Sequence, residues 1–238
     1  MTADALPKLA CWTLHEHATL GSTNDEALRL ASAGAPHGVL VTAAQQTAGR
    51  GRLGRNWSSP SGNLHASFLI RPGVPPNRAA ELGFVAALAV LDTCDALSEQ
   101  RASLKWPNDV LVGGAKLAGI LTELAGGAVI VGIGLNVGSA PDGLPYATAC
   151  LGPPVTVEAA TQELAEAMQR RFRSWQSHGF GGVRENWMAR GPAVGSVLAL
   201  QIGITRSEGV YAGLDLNGAL MLDGPQGRRR FVAGETTL

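Results

Sequence analysis

The sequence predicts an α/β (α+β) chain, a mixed sheet with flanking helices followed by a small all-β module. Three observations carry this. Strand-length apolar runs alternate with helical patterns over residues 9–190. The runs at 104–137 are parted by glycine turns, as in an antiparallel meander. After Gly191–Pro192 the texture changes to short strands with Gly turns. The boundary placed there gives residues 1–192 and 193–238.

Residues 9–17, LACWTLHEH, read as an early strand. Thr23 with Glu26 three residues later predicts a capping box opening a helix over Ala27, Leu28, Leu30 and Ala31, which Gly34 closes. VLVTA (39–43) and NLHASFLI (63–70) are strand candidates with a glycine- and arginine-rich stretch between them. Residues 79–97 are apolar almost all round, as in a helix buried against a sheet. LKW (104–106), DVLV (109–112), LAGILTEL (117–124) and AVIVGIGLNV (128–137) then read as four strands, with turns at Gly113–Gly114 and Gly126–Gly127. Amphipathic periodicity predicts a helix over 156–175 and a second over 180–190.

Composition excludes several functions. Of the 238 residues 45% are hydrophobic, enough for a substantial core, and nineteen basic residues balance nineteen acidic ones. Zero net charge supplies no global pull toward nucleic acid or a membrane surface. No signal-like segment or long apolar span appears, so the expectation is a cytoplasmic protein with no membrane partner. Cys11, Cys94 and Cys150 are odd in number and lack CxxC spacing, which predicts reduced, mostly buried thiols. His15, His17, His37, His65 and His178 show no metal-ligand spacing and read as structural.

QTAGRGRLGRNW (46–57) contains Gly49, Gly51 and Gly54 at the G-x-G-x-x-G spacing. A dinucleotide site needs a helix to follow, and RNWSSPSGN cannot sustain one. What remains is Arg50, Arg52 and Arg55 among glycines. Guanidinium forks suit phosphate or carboxylate oxygens, and glycine lets the backbone approach them. Three such charges repel one another unless an anion neutralises them, so the loop is expected to order when filled. Alone it reads equally as a solvated loop or a nucleic-acid patch. Lysine occurs only at positions 8, 105 and 116, and Lys116 directly follows the Gly113–Gly114 turn and Ala115.

Taken with STN (22–24), KWPNDV (105–110), KLAGILTE (116–123) and GIGLN (132–136), this loop closely resembles the biotin protein ligase family. These stretches span most of residues 20–140, and GETTL (234–238) fits the family's C-terminal end. The resemblance implies a class II synthetase-like mixed sheet, a small C-terminal SH3-like β-barrel, and an enzyme that makes biotinyl-5'-AMP from biotin and ATP and passes biotin to a lysine of a biotin carboxyl carrier protein. It implies biotin contacts at Ser22, Thr23, Asn24, Gln46, Gly49, Arg50, Gly51, Arg52 and Lys116. It implies catalytic roles for Arg50, Arg52 and Lys116, nucleotide contacts at Arg52, Arg55, Trp57, Asn108 and Asn136, and Mg2+ carried with ATP, its protein ligands unassigned. Only about twenty residues precede Ser22, which leads to the expectation of no DNA-binding domain and no DNA partner. A homodimer is left open. The competing readings are a lipoate or octanoyl ligase of the same fold and a biotin sensor without turnover. Arg228 to Arg230 read either as a docking patch for an acidic acceptor or as a solvated edge.

Overall fold

A computed structural model describes residues 8–237; residues 1–7 of the N-terminal reading and Leu238 of GETTL lie outside them. The chain runs β1 (Lys8–Leu9), β2 (Trp12–Leu20), α1 (Thr23–Ser32), β3 (Val39–Gln46), β4 (Leu64–Ile70), α2 (Glu81–Leu97), β5 (Ala102–Lys105), β6 (Asp109–Val112), β7 (Ala115–Ala125), β8 (Ala128–Leu135), α3 (Val157–His178) and α4 (Phe180–Arg190). The strands form one eight-stranded sheet in the order β1-β2-β3-β4-β8-β7-β6-β5. β2 and β3 pair in parallel, so the chain between them must cross over, and α1 is that crossover. The other pairings are antiparallel, including the expected meander from β5 to β8.

Pleat parity assigns the two faces different tasks. Phe68, Ile120, Ile133 and Leu135 face the main core beneath α2, α3 and α4. α2 is apolar all round because it is buried almost throughout, between the sheet and α3 and α4. On the opposite face α1 covers only one end, where Ala27 and Ala31 pack on Val39, Val41, Leu69 and Ile130. The rest of that face, along β7 and β8, is left for a cleft.

β9 (Val197–Ile202), β10 (Thr205–Leu214), β11 (Leu220–Gly224), β12 (Gly227–Phe231) and β13 (Glu235–Thr237) make a second, antiparallel sheet in the order β12-β11-β10-β9-β13. Its apolar residues Leu198, Tyr211 and Leu220 join the main core. Trp106 ties the sheets together: its Nε1 donates to Gly218 O at 3.1 Å, and its carbonyl accepts from Thr236 Oγ1 at 2.7 Å.

Two expectations are corrected. α1 begins at Thr23, but Ser22 is the N-cap and no side chain caps it; Glu26 instead pairs with Arg29. The thiols are free, as expected, but Cys11 is exposed and Cys150 only half-buried. Cys94 alone is deeply buried, its pKa pushed up to about 12 by desolvation. Of the basic triplet, Arg228 and Arg230 are matched by Asp223 and Asp215, and Arg229 lies over Phe231. The histidines whose surroundings bear on the reading are structural: His65 is buried against Pro60 O, and His37 stacks on Phe172.

Phe84 sits where α2, α4 and the second sheet meet, edge-on to Phe180 and Trp187 and against Gly218. Phe84→Ala is expected to lower unfolding free energy by about 3–5 kcal/mol, measured by urea denaturation; a loss below about 1 kcal/mol would contradict this packing.

Candidate active site

The uncovered half of the sheet holds a cleft of about 400 Å³, within the range of small-molecule sites. Its floor is unusual for a sheet centre. Gly119 and Gly134 are cross-strand partners, and Gly132 lies two residues further along β8. A Cβ on Gly134 would collide with the Trp57 indole, and one on Gly132 with the Asn24 amide. The glycines therefore open a hollow into which side chains from the loop and from α1 descend.

One end of the cleft is polar and largely uncharged. Gln46, ending β3, accepts at Oε1 from Thr23 N at 2.8 Å and Thr23 Oγ1 at 3.1 Å, and its Nε2 donates to Ser59 Oγ at 2.8 Å. The Thr23 hydroxyl thus serves the cleft rather than capping the helix. Ser22 is buried beside it with no side-chain cap bond. Asn24 is committed on both sides: Nδ2 donates to Glu123 Oε2 at 2.7 Å, and Oδ1 accepts from Ser67 Oγ at 2.6 Å.

The other end is cationic. β6 and β7 pair Asp109 with Gly119 and Val110 with Ala118, then shift register so that Leu111 faces Lys116. This bulge turns Lys116 onto the same face as Gly119; regular alternation would have sent it to the opposite one. Its Nζ lies 2.7 Å from Asp109 Oδ1, an ion pair off the hydrogen-bond axis, and 5.5 Å from the ring centres of both Trp57 and Tyr146. Trp57 Nε1 is buried with no partner among the described residues.

The loop between β3 and β4 is a tight hairpin. Gly51 N donates to Arg55 O at 2.7 Å and Trp57 N to Gly49 O at 2.9 Å, around a 3₁₀ turn at Arg52–Gly54. No helix follows the glycines, in keeping with rejection of a dinucleotide fingerprint. Gly49 is required by close approach, since a Cβ there would lie 2.5 Å from Ser59 Oγ and 2.6 Å from Trp57 O. Gly51 faces the Arg55 backbone at 3.4 Å by the same measure.

The loop's charges do not wait for an outside anion, contrary to expectation. Arg50 forms two bonds to Glu123, at 2.9 and 2.8 Å, and one to Asp25 at 2.6 Å. Glu123 foremost raises its pKa. Arg55 pairs with Glu235 of the second sheet. Arg52 reaches into the cleft, donating to Asn108 Oδ1 at 3.1 Å; burial foremost lowers its pKa, opposed by Glu235 and Asp109. Among the described residues, Arg52 is therefore the loop arginine without a carboxylate in salt-bridge contact.

Asn108 also donates to Ile120 O at 2.8 Å, fixing the rim between the cleft and the second sheet. Asn136 lies deeper: its Nδ2 donates to Ala149 O at 2.9 Å, and its Oδ1 has no partner among the described residues. It lines a smaller adjoining hollow with Trp57 and Lys116. Sequence reasoning missed Asp25, Ser67, Asp109, Glu123, Tyr146 and Glu235 as members of this constellation. Asp109, Glu123 and Glu235 stood within the quoted stretches KWPNDV, KLAGILTE and GETTL; the others carried no local signal. Among the described residues no three His, Cys, Asp or Glu side chains converge as a metal cage, and no helix is long and apolar enough to cross a membrane.

The mixed sheet thus carries a cleft that is polar but largely uncharged at one end and cationic at the other. The family model described as Biotin/lipoate A/B protein ligase family matches residues 18–139. The biotin--[acetyl-CoA-carboxylase] ligase of Paracoccus denitrificans is 41% identical over 90% of this chain and 95% of its own. That of Mycobacterium tuberculosis is 36% identical over 87% and 81%. The biotin protein ligase of Aquifex aeolicus, solved in complex with biotin and ATP, superposes with a TM-score of 0.83 at 27% identity, over 94% of this chain and 97% of its own. The chain belongs to the biotin/lipoate A/B protein ligase family, on its biotin protein ligase side.

If the glycine hollow seats Trp57, Gly134→Ala should displace the indole. Tryptophan emission is then expected to shift to the red and acrylamide quenching to rise, read against Trp57→Phe. Unchanged quenching would contradict the close approach at Gly134.

Proposed function

We propose that this chain activates biotin with ATP as biotinyl-5'-AMP and transfers the biotinyl group to a lysine of a biotin carboxyl carrier protein. The observation that carries the reading is one cleft with a neutral hydrogen-bonding end at Thr23 and Gln46 and a cationic end at Lys116 and Arg52. A ureido head has N–H donors and a carbonyl acceptor and needs no charge, whereas a carboxylate meeting a polyphosphate needs cations.

In the first half-reaction a biotin carboxylate oxygen attacks the α-phosphorus of ATP. The bond to the bridging oxygen of the β-phosphate breaks, and pyrophosphate leaves. In the second, an acceptor lysine amine attacks the acyl carbon, an amide forms, AMP departs and the amine sheds its proton. Lys116 is assigned the carboxylate and α-phosphate oxygens, because a compact ammonium can face two oxygens without demanding one geometry. Arg52 holds the phosphoryl oxygens from the loop side, and burial strengthens each such contact. Trp57 forms a wall of the cleft and is assigned the nucleotide side with Arg55 and Asn108. Bringing two anions together is the main obstacle of the first half-reaction, and prepositioned cations lower it; in the second they stabilise the charge that develops on the departing AMP.

Magnesium fits as a passenger of the nucleotide: with no three-ligand protein cage among the described residues, phosphate oxygens would supply most of its ligands. When bound, it neutralises charge on the pyrophosphate leaving group. Asn108, Asp109 and Glu235, side-chain oxygen donors at the cleft rim, would be its protein neighbours.

The test is transfer of labelled biotin, with ATP and magnesium, to a biotin carboxyl carrier domain, beside lipoate with a lipoyl domain. Label on the biotin acceptor alone is expected; label on the lipoyl domain, or on neither, would overturn the reading. Lys116→Ala is expected to slow biotin-dependent pyrophosphate release at least about tenfold, the loss of one charge-assisted contact of about 1.5–3 kcal/mol. Arg52→Ala is expected to speed loss of bound adenylate while the melting temperature stays within a few degrees. Retained adenylate with a collapsed melting temperature would make Arg52 structural.

A further inference from the structure

Glu123 has no place in the chemistry just described, yet it joins the arginine loop to the first turn of α1. It stands on β7 opposite Ile130 of β8, on the cleft face, with its side chain 24% exposed. Its two oxygens receive both terminal nitrogens of Arg50, from the loop, and Nδ2 of Asn24, from the first turn of α1.

From Asn24 the bonding continues without a break. Ser67 Oγ lies 2.6 Å from Asn24 Oδ1 and 2.8 Å from Thr23 Oγ1, Thr23 Oγ1 donates to Gln46 Oε1, and Gln46 Nε2 donates to Ser59 Oγ. Ser59 in turn donates to Trp57 O at 3.2 Å. The chain leaves the loop at Arg50 and returns to it at Trp57, having passed through the neutral end of the cleft.

A carboxylate can only accept, and that fixes the direction of each bond. It draws the Asn24 amide nitrogen toward itself, leaving Asn24 Oδ1 to accept the Ser67 proton, which Ser67 shares with Thr23 Oγ1 in a three-centre bond, while the Thr23 proton goes to Gln46. Ser67, Thr23 and Asn24 are all buried, so a reversed or broken link would strand a polar atom away from water.

We infer that Glu123 is a positioning residue that couples the polar end of the cleft to closure of the arginine loop, by holding Arg50 and Asn24 in one carboxylate. The inference rests on the ligase reading and adds to it a residue that governs retention of the adenylate. A ligand seated on Thr23 and Gln46 stiffens the chain at one end, and the loop closes more tightly at the other. Loss of Glu123 uncouples the two.

The test uses the full chain with biotin and ATP, forming labelled biotinyl-adenylate in place. Its release is followed by chase, and cleavage after the loop arginines by limited trypsin, with and without biotin. Glu123→Gln removes the charge, and with its carbonyl kept on Asn24 and Arg50 Nη2 it turns an NH2 donor toward Arg50 Nη1, so the two-bond fork to Arg50 is lost. Adenylate release is expected to quicken at least about tenfold, and biotin's protection of the loop from trypsin to be lost even at saturating biotin. Arg50→Ala removes the same contact from the loop side, so adding Glu123→Gln to it should raise release by less than the separate effects combined. Glu123→Asp, which keeps the charge, is expected to restore part of the protection.

If Glu123→Gln does not fold, Arg50→Ala and Glu123→Asp decide the matter by the same two readouts. Release and protection like the parent's in a folded variant would overturn the inference and leave the ligase reading intact. A parent chain that makes no adenylate would overturn both.

Discussion

The site depends on the absence of three side chains at the centre of the sheet. Gly119 and Gly134 face each other across β7 and β8, and Gly132 lies opposite both Leu121 and Ser67. A central strand normally fills such positions with branched side chains, because packing on both faces rewards them. Here the lost packing is exchanged for space, into which Trp57 is set over Gly134 and Asn24 over Gly132. Lys116 then lies over Trp57, and the register shift at Leu117 is what brings it there. A methyl group on Gly134 would disturb the tryptophan, and through it the surroundings of the lysine.

Charge imposes the second constraint. Arg50, Arg55 and Lys116 each face a carboxylate from a separate part of the chain: β7 and α1, the second sheet, and β6 respectively. Pairing lowers the cost of holding cations in a half-buried cleft before an anion arrives. An incoming carboxylate or phosphate can share Lys116 with Asp109, since an ammonium carries three donors. Arg52 differs, half-buried with an amide oxygen as its partner, so its charge is the one most readily given to a ligand.

Much of the fold was legible because it follows local rules. The meander from β5 to β8 showed in its glycine turns, α2 in its all-round apolarity, and the change to a second sheet in the texture after Gly191–Pro192. Rejection of the dinucleotide fingerprint rested on Pro60 and the serines after Gly54, and no helix stands there. The site was legible where motif and chemistry coincided, as at Lys116 and Arg52. What stayed hidden depends on distant partners. Thr23 reads as a cap until Gln46 and Ser67 arrive from neighbouring strands, and Glu123 acquires its role from partners 73 and 99 residues away. The bulge that aims Lys116 is a property of strand pairing, which periodicity along one segment does not report.

The central claim is that the ligand lies along the hollow in one direction, neutral head at Thr23 and Gln46, acyl-phosphate linkage at Lys116. The most direct measurement is a crystal structure of the chain with a non-hydrolysable biotinyl-adenylate analogue. The ureido oxygen or nitrogens are expected within hydrogen-bond distance of Thr23 or Gln46, and Lys116 Nζ within reach of the linkage oxygens. A ligand lying in the reverse direction, or seated outside the hollow between Trp57 and Asn24, would contradict it.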